Sequence, residues 1–113
     1  MNDFRTIWTT EDRYVEVIDQ RVLPHELITV KLMTYQDAEV AIKSMTVRGA
    51  PLIGATAAYG IFLAVREMIE QQLEGTFLDE AFSALRASRP TAVNLFWALD
   101  RMQNALDNAE GDF

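Results

Sequence analysis

The sequence predicts an α+β fold that is mostly helical, with about three short antiparallel strands at the amino end and then about four helices. Up to residue 32 the apolar residues fall in short strand-length runs, and Ile28, Val30 and Leu32 alternate cleanly with the period of a half-buried strand. Beyond residue 34 they recur at i, i+3, i+4 and i+7, the spacing of one helix face. Half of the 113 residues are hydrophobic and 24% are charged, a globular balance rather than a disordered one. That length suits a single domain.

Taken in order, Thr6-Ile7-Trp8 and Tyr14-Val15-Glu16-Val17-Ile18 flank the polar turn Thr10-Glu11-Asp12 and predict a hairpin. After the loop around Pro24, Ile28, Val30 and Leu32 fall on one face of a third strand. Three short strands need helices packed on them to close a core. Thr34-Tyr35-Gln36-Asp37 has the spacing of a capping box, and Ala38, Ala41, Ile42 and Met45 then share a helix face. A second helix should open at Pro51, run to about Glu74 and stop at Gly75. Its first half is apolar nearly all round and should be the buried centre, while from Arg66 onward it turns polar.

Thr76-Phe77-Leu78-Asp79 offers another capping box for a third helix ending near Ser88, with Leu78, Ala81, Phe82 and Leu85 inward. Pro90 suits the start of a fourth. Leu95, Leu99, Met102 and Leu106 trace its buried stripe, widened by Phe96 and Trp97. The tail from Asn108 has little to bury.

Composition excludes several functions. The net charge of −7 argues against nucleic acid and anionic membrane surfaces as partners, since both call for a basic face. Absence of cysteine removes disulfides, thiolate metal sites and a nucleophilic thiol from this stretch. The opening Met1-Asn2-Asp3-Phe4-Arg5 is no secretory signal. The longest apolar stretch, Leu52 to Val65, is 14 residues, whereas a bilayer requires about 20. These readings point to a cytoplasmic protein.

Two segments break the ordinary pattern alike. In Val47-Arg48-Gly49-Ala50-Pro51-Leu52-Ile53-Gly54, an arginine and a glycine precede a helix-opening proline; in Ser88-Arg89-Pro90-Thr91-Ala92-Val93-Asn94, an arginine again does. A helix start leaves N–H groups without partners and carries partial positive charge, so an anion can accept there while a guanidinium adds a bidentate pair. With Pro51 as the first helical residue, the N-cap is Ala50, which has no side-chain acceptor; an outside acceptor can take that role. Gly49 permits close approach of a ligand. At the second site the alternative is that Ser88 itself caps a helix starting at Arg89.

The bland reading of each arginine is a solvent-facing side chain or a carboxylate partner. His25 reads as a surface residue, and one histidine makes no metal site. Glu11, Asp12 and Glu16 read as solvated positions, Asp100 as a solvent-side carboxylate, and Tyr59 as core. No triad, metal cluster or glycine-rich nucleotide loop is legible.

The first of these segments, with Ala57-Ala58-Tyr59-Gly60 after it, closely resembles the first substrate-binding loop and helix of methylthioribose-1-phosphate isomerases. Ser88-Arg89-Pro90-Thr91-Ala92-Val93-Asn94-Leu95 resembles that family's second amino-terminal signature, and Ile18-Asp19-Gln20-Arg21-Val22-Leu23-Pro24 matches in place and order. The family is related to the regulatory subunits of the translation-initiation guanine-nucleotide exchange factor and to ribose-1,5-bisphosphate isomerases.

The resemblance implies that residues 1–113 are one amino-terminal domain of a longer two-domain enzyme, whose Rossmann-like catalytic domain is absent from this chain. It implies an aldose–ketose isomerase of methionine salvage, converting 5-methylthioribose 1-phosphate to 5-methylthioribulose 1-phosphate without metal or organic cofactor. Arg48, Gly49, Ala50 and Arg89 would contact the sugar phosphate. The family's catalytic cysteine and aspartate belong to the second domain, so no catalytic residue is expected here and the chain alone should be inactive. The expected partners are the sugar phosphate, the second domain and, in the full-length form, a second copy in a homodimer. The alternative is a non-catalytic regulatory or protein-interaction module of the same superfamily that binds a phosphorylated sugar or nucleotide.

Overall fold

The computed structural model describes residues 7–22, 25–47, 49–89 and 92–108. Three strands, β1 (Ile7–Thr9), β2 (Val15–Ile18) and β3 (Thr29–Leu32), form an antiparallel sheet in the order β1-β2-β3. Four helices follow: α1 (Tyr35–Lys43), α2 (Ala50–Gln71), α3 (Thr76–Ser88) and α4 (Val93–Asn108). The expected fold class is therefore the observed one.

Alternation fixes the sheet's inner face. In the central strand Val15 and Val17 are fully buried, opposite Leu32 and Val30 of β3. Leu32 is buried beside α1, whereas Ile28, expected on the same inward face, lies before β3 and is 41% exposed.

Around the hairpin turn, Lys31 Nζ lies 2.7 Å from Asp12 Oδ2, and the Thr10 hydroxyl donates to the same carboxylate. The Lys31 and Thr10 hydrogen bonds hold the Asp12 carboxyl at about 2, below its ordinary 3.8. A depressed carboxyl stabilises the fold above the unfolded value and loses that contribution as pH falls through the folded one. The Asp12 side chain should therefore titrate near 2 by NMR, and Lys31→Met should return its midpoint toward 3.8. A midpoint near 3.8 in the unaltered chain would contradict the pairing.

Thr34 caps α1 as its sequence requires: its hydroxyl accepts the Asp37 amide at 3.2 Å, and Asp37 Oδ2 accepts the Thr34 amide at 3.2 Å. The second capping box does not form. Gly75 is itself the N-cap of α3 and already has helical angles, so its carbonyl accepts from the Leu78 and Asp79 amides and Thr76 lies inside the first turn. Accordingly Gly75 does not stop α2. That helix ends earlier at Gln72, which takes the left-handed conformation (φ 55°) while the Leu73 amide reaches back to the Met68 carbonyl at 2.9 Å.

Helix α2 is the centre of the molecule and packs against α1, α3 and α4. Ile53, Ala57, Ile61, Leu63 and Ala64 are buried along it, together with Thr56, whose hydroxyl is satisfied by the Leu52 carbonyl at 2.7 Å. By length and composition α2 is apolar enough to cross a bilayer, although its uninterrupted apolar stretch fell short of that. In this fold 44% of that bilayer-length apolar stretch is buried, while Phe62 and Ile69 stay exposed. From Arg66 the helix becomes polar, as expected; Arg66 stacks over the Tyr14 ring at 4.0 Å and donates to the Arg13 carbonyl, joining α2 to the hairpin.

In α3, Ala81, Phe82 and Leu85 are buried and Leu78 is half-buried. Of the stripe expected on α4, Leu95 and Leu99 are fully buried and Met102 and Leu106 half-buried. Trp97 does not widen that stripe: it is 60% exposed, because it points along the α2–α4 seam rather than into the core. The residues from Ala109 onward, for which little burial was expected, lie outside the described residues.

Candidate functional site

The opening of α2 differs from expectation by one residue. Ala50 is the first helical residue, Pro51 the second, and the N-cap is Gly49, at φ 90° and ψ 134°. That positive φ is one that L side chains rarely adopt, which accounts for glycine there; a Cβ would meet nothing within 4 Å. The capping argument survives the shift, because Gly49 has no side-chain acceptor and the first turn has no acidic residue. The Ile53 amide bonds to the Gly49 carbonyl at 2.9 Å, leaving the amides of Ala50 and Leu52 without an intrahelical acceptor.

Arg89 does not head a helix. It is the C-cap of α3, with Ser88 as that helix's last residue, so neither residue caps α4. The Ser88 hydroxyl turns back to the Leu85 carbonyl, and the Arg89 carbonyl accepts the Ala92 amide at 3.0 Å. Helix α4 opens at Val93, with the Leu95 amide on the Ala92 carbonyl at 3.1 Å and no acidic residue in its first turn. Pro90, expected as its opening residue, lies outside the described residues, as do Thr91 and Arg48.

The two openings meet. A cavity of about 340 Å³ is lined by Gly49, Ala50 and Ile53 from α2, Arg89 from the end of α3, and Ala92, Val93 and Asn94 from the start of α4. Three of the four residues singled out for substrate contact therefore face one space. Arg89 is half-buried and is in none of the ion pairs found among the described residues. Among the described residues the wall carries one guanidinium and no carboxylate or imidazole, so it presents a positive group to an anion. Asn94 was not singled out from the sequence; its position in the first turn of α4, the spacing at which side chains flank free amides, was the available signal.

A second, larger cavity of about 570 Å³ continues along the α2–α4 seam and shares Ala50 and Asn94 with the first. Small residues line it, among them Gly54, Ala55, Ala58 and Ala98, and Arg101 stacks over the exposed Trp97 ring at 4.9 Å. The remaining candidates stand apart. His25 is exposed, Tyr59 packs half-buried on the core, and Asp100 forms an exposed ion pair with Arg86. Glu16 is half-buried and accepts the Trp8 indole N–H at 3.1 Å. Among the described residues no three His, Cys, Asp or Glu side chains gather as a metal site.

Comparison with known proteins places this geometry in context. The model of the Initiation factor 2 subunit family matches residues 46–112, which include both helix openings. A methylthioribose-1-phosphate isomerase of Paramagnetospirillum magneticum is 54% identical over 91% of the chain, and isomerase 2 of Pseudothermotoga lettingae is 47% identical over 98%. The chain spans 28% and 32% of those relatives. Among solved structures, 5-methylthioribose 1-phosphate isomerase from Pyrococcus horikoshii superposes with a TM-score of 0.77 at 37% identity, over 92% of this chain and 30% of that one. The delta subunit of translation initiation factor eIF-2B from A. fulgidus superposes with a TM-score of 0.81 at 36% identity, over 96% of this chain and 32% of that one.

Proposed function

Because the chain belongs to the Initiation factor 2 subunit family, we propose that it is the substrate-gripping amino-terminal part of a longer aldose–ketose isomerase. The substrate of the whole protein is 5-methylthioribose 1-phosphate and the product 5-methylthioribulose 1-phosphate, a step of methionine salvage in the cytoplasm. The observation that carries the reading is the convergence of Gly49, Ala50 and Arg89 on one cavity between the openings of α2 and α4, the first of which has no side-chain cap. Phosphate oxygens accept from the free amides of α2 and from amides at the opening of α4 while Arg89 adds charge-assisted hydrogen bonds from the side. Arg48, immediately before Gly49, is the second guanidinium of this grip.

Isomerisation shifts hydrogen between adjacent carbons and requires an acid and a base within reach. Among the described residues the cavity wall has no carboxylate or imidazole to serve as either, and in this reading the proton transfer belongs to the part of the relatives that this chain does not span. That larger part docks along the apolar α2–α4 seam, where Trp97 is exposed and where the anion cavity ends. The full-length protein is a homodimer in this reading.

The 0.81 TM-score with the eIF-2B delta subunit favours a second reading, a regulatory module that binds a phosphorylated ligand without chemistry. Identity of 54% with an isomerase, against 36% with that subunit, favours the enzyme. Inorganic phosphate titrated into the isotope-labelled chain should shift the amides of Gly49, Ala50, Leu52, Val93 and Asn94, and the chain should not turn over the sugar phosphate. Turnover by the isolated chain, or phosphate shifts confined elsewhere, would reject the assignment. A full-length protein that binds the sugar phosphate without converting it would decide for the regulatory module.

A further inference from the structure

Among the described residues, the stretch that leaves the central strand is not in the cavity wall, yet it is hydrogen-bonded to the loop that leads into it. Asp19 directly follows β2 and is 4% exposed, although it is a carboxylate. Its Oδ1 accepts the Arg21 amide and the Arg21 Nε–H, each at 2.9 Å, and its Oδ2 accepts Arg21 Nη2 at 2.8 Å. This folds the chain back immediately after the strand and fixes the plane of the next peptide. The Asp19 amide completes the ladder to the Ile28 carbonyl at 2.8 Å. The Gln20 amide, turned out of the sheet, donates to the Thr46 carbonyl at 2.7 Å.

Thr46 lies in the loop between α1 and α2, three residues before Gly49. It is 4% exposed, its hydroxyl pairs with Ser44 at 2.8 Å, and Met45 beside it takes a left-handed turn at φ 64°. The buried Val47 then bonds back to the Ala41 carbonyl at 3.3 Å. Only Val47 and Arg48 separate the pinned carbonyl from the N-cap of α2.

We propose that Asp19 is a positioning residue for the anion-binding turn, holding Gln20 against Thr46 so that Gly49 and the free amides of α2 keep their place. This rests on the reading of Gly49 and Ala50 as anion contacts. The Arg21 guanidinium, which holds the Asp19 carboxyl below its usual range, keeps the device charged at neutral pH. Arg21 is half exposed, so the pair anchors the turn from the surface inward.

Amide hydrogen exchange on the chain tests the proposal without any ligand. Asp19→Asn retains an acceptor for the Arg21 amide but loses the ion pair, and Asp19→Ala loses both. Arg21→Gln breaks the pair at an exposed position and keeps the test available if the Asp19 variants do not fold. Protection at Gln20, Val47 and Ile53 should fall by about tenfold or more in the folded variants, while Ile61 and Leu85 keep theirs. Loss spread evenly over all these amides, or confined to Arg21, would overturn the proposal. In parallel, inorganic phosphate affinity should fall by about tenfold, graded from Asn to Ala. Phosphate that binds the variants as well as the unaltered chain would also overturn it. If the unaltered chain shows no phosphate response, the anion reading fails, and the exchange result still decides whether Asp19 positions the turn.

Discussion

Arg89→Ala in the full-length protein is expected to lower kcat/KM for the sugar phosphate by more than about tenfold, or ~1.4 kcal/mol. The magnitude follows from the bonds at stake. A hydrogen bond to a charged group contributes about 1.5–3 kcal/mol, and Arg89 faces the cavity with no carboxylate partner among the described ion pairs to absorb its charge. Arg48→Ala should have an effect of the same order. Arg89→Lys should restore part of the loss, because an ammonium keeps the charge but not the planar fork. Arg86, one turn earlier on α3, provides the control: its exposed pair with Asp100 contributes about 0–1 kcal/mol to stability, and Arg86→Ala should leave kcat/KM unchanged. Kinetics unaltered in both Arg48→Ala and Arg89→Ala would end the case for an anion grip.

The second large effect is on stability. Gly60 lies where α1 and α3 both press on α2; a Cβ there would stand 3.0 Å from the Ala38 Cβ and 3.1 Å from Leu85 Cδ1. Alanine improves helix propensity by about 1 kcal/mol, but overpacking typically costs about 1–3 kcal/mol. Gly60→Ala should therefore be neutral to moderately destabilising. Valine adds two methyl groups where no space remains, gains less propensity, and pushes three helices apart, so Gly60→Val should lose about 3 kcal/mol or more in denaturant unfolding. Gly75 is the contrasting case: it has φ −59° and nothing within 4 Å of a Cβ. Gly75→Ala should stabilise by about 0.4–1 kcal/mol by restricting the unfolded chain. Gly60→Val as stable as the unaltered chain would show that the three-helix junction is looser than its distances imply.

Much of the fold is legible in the sequence. The strand-to-helix change of period near residue 33 follows from local alternation, and the Thr34 capping box depends on residues only three apart. The helix ends were harder. Gly75 and Thr76 have the composition of a stop and a cap, but Gly75 takes helical angles, so the cap moves back by one residue and the box has no free amide to serve. Gln72, a residue with no special turn chemistry, ends α2 instead, because the Leu73 amide finds the Met68 carbonyl there. Periodicity places Trp97 inward, but the width of the buried face of α4 depends on what packs against it.

Local pattern therefore specified the elements, their order and the central place of α2, and it set Gly49 and Arg89 apart, although Arg89 ends α3 rather than opening a helix. Such features depend on neighbours a few residues away. The meeting of those two positions depends on helices crossing. Gly54 lets α4 approach α2 closely enough that a Cβ there would stand 3.2 Å from the Asn94 carbonyl oxygen, and this brings the two openings around one cavity. The Gln20–Thr46 hydrogen bond is likewise made between segments far apart in the chain. Backbone groups are alike in every residue, so no side-chain pattern announces which distant amide and carbonyl will pair; packing selects them.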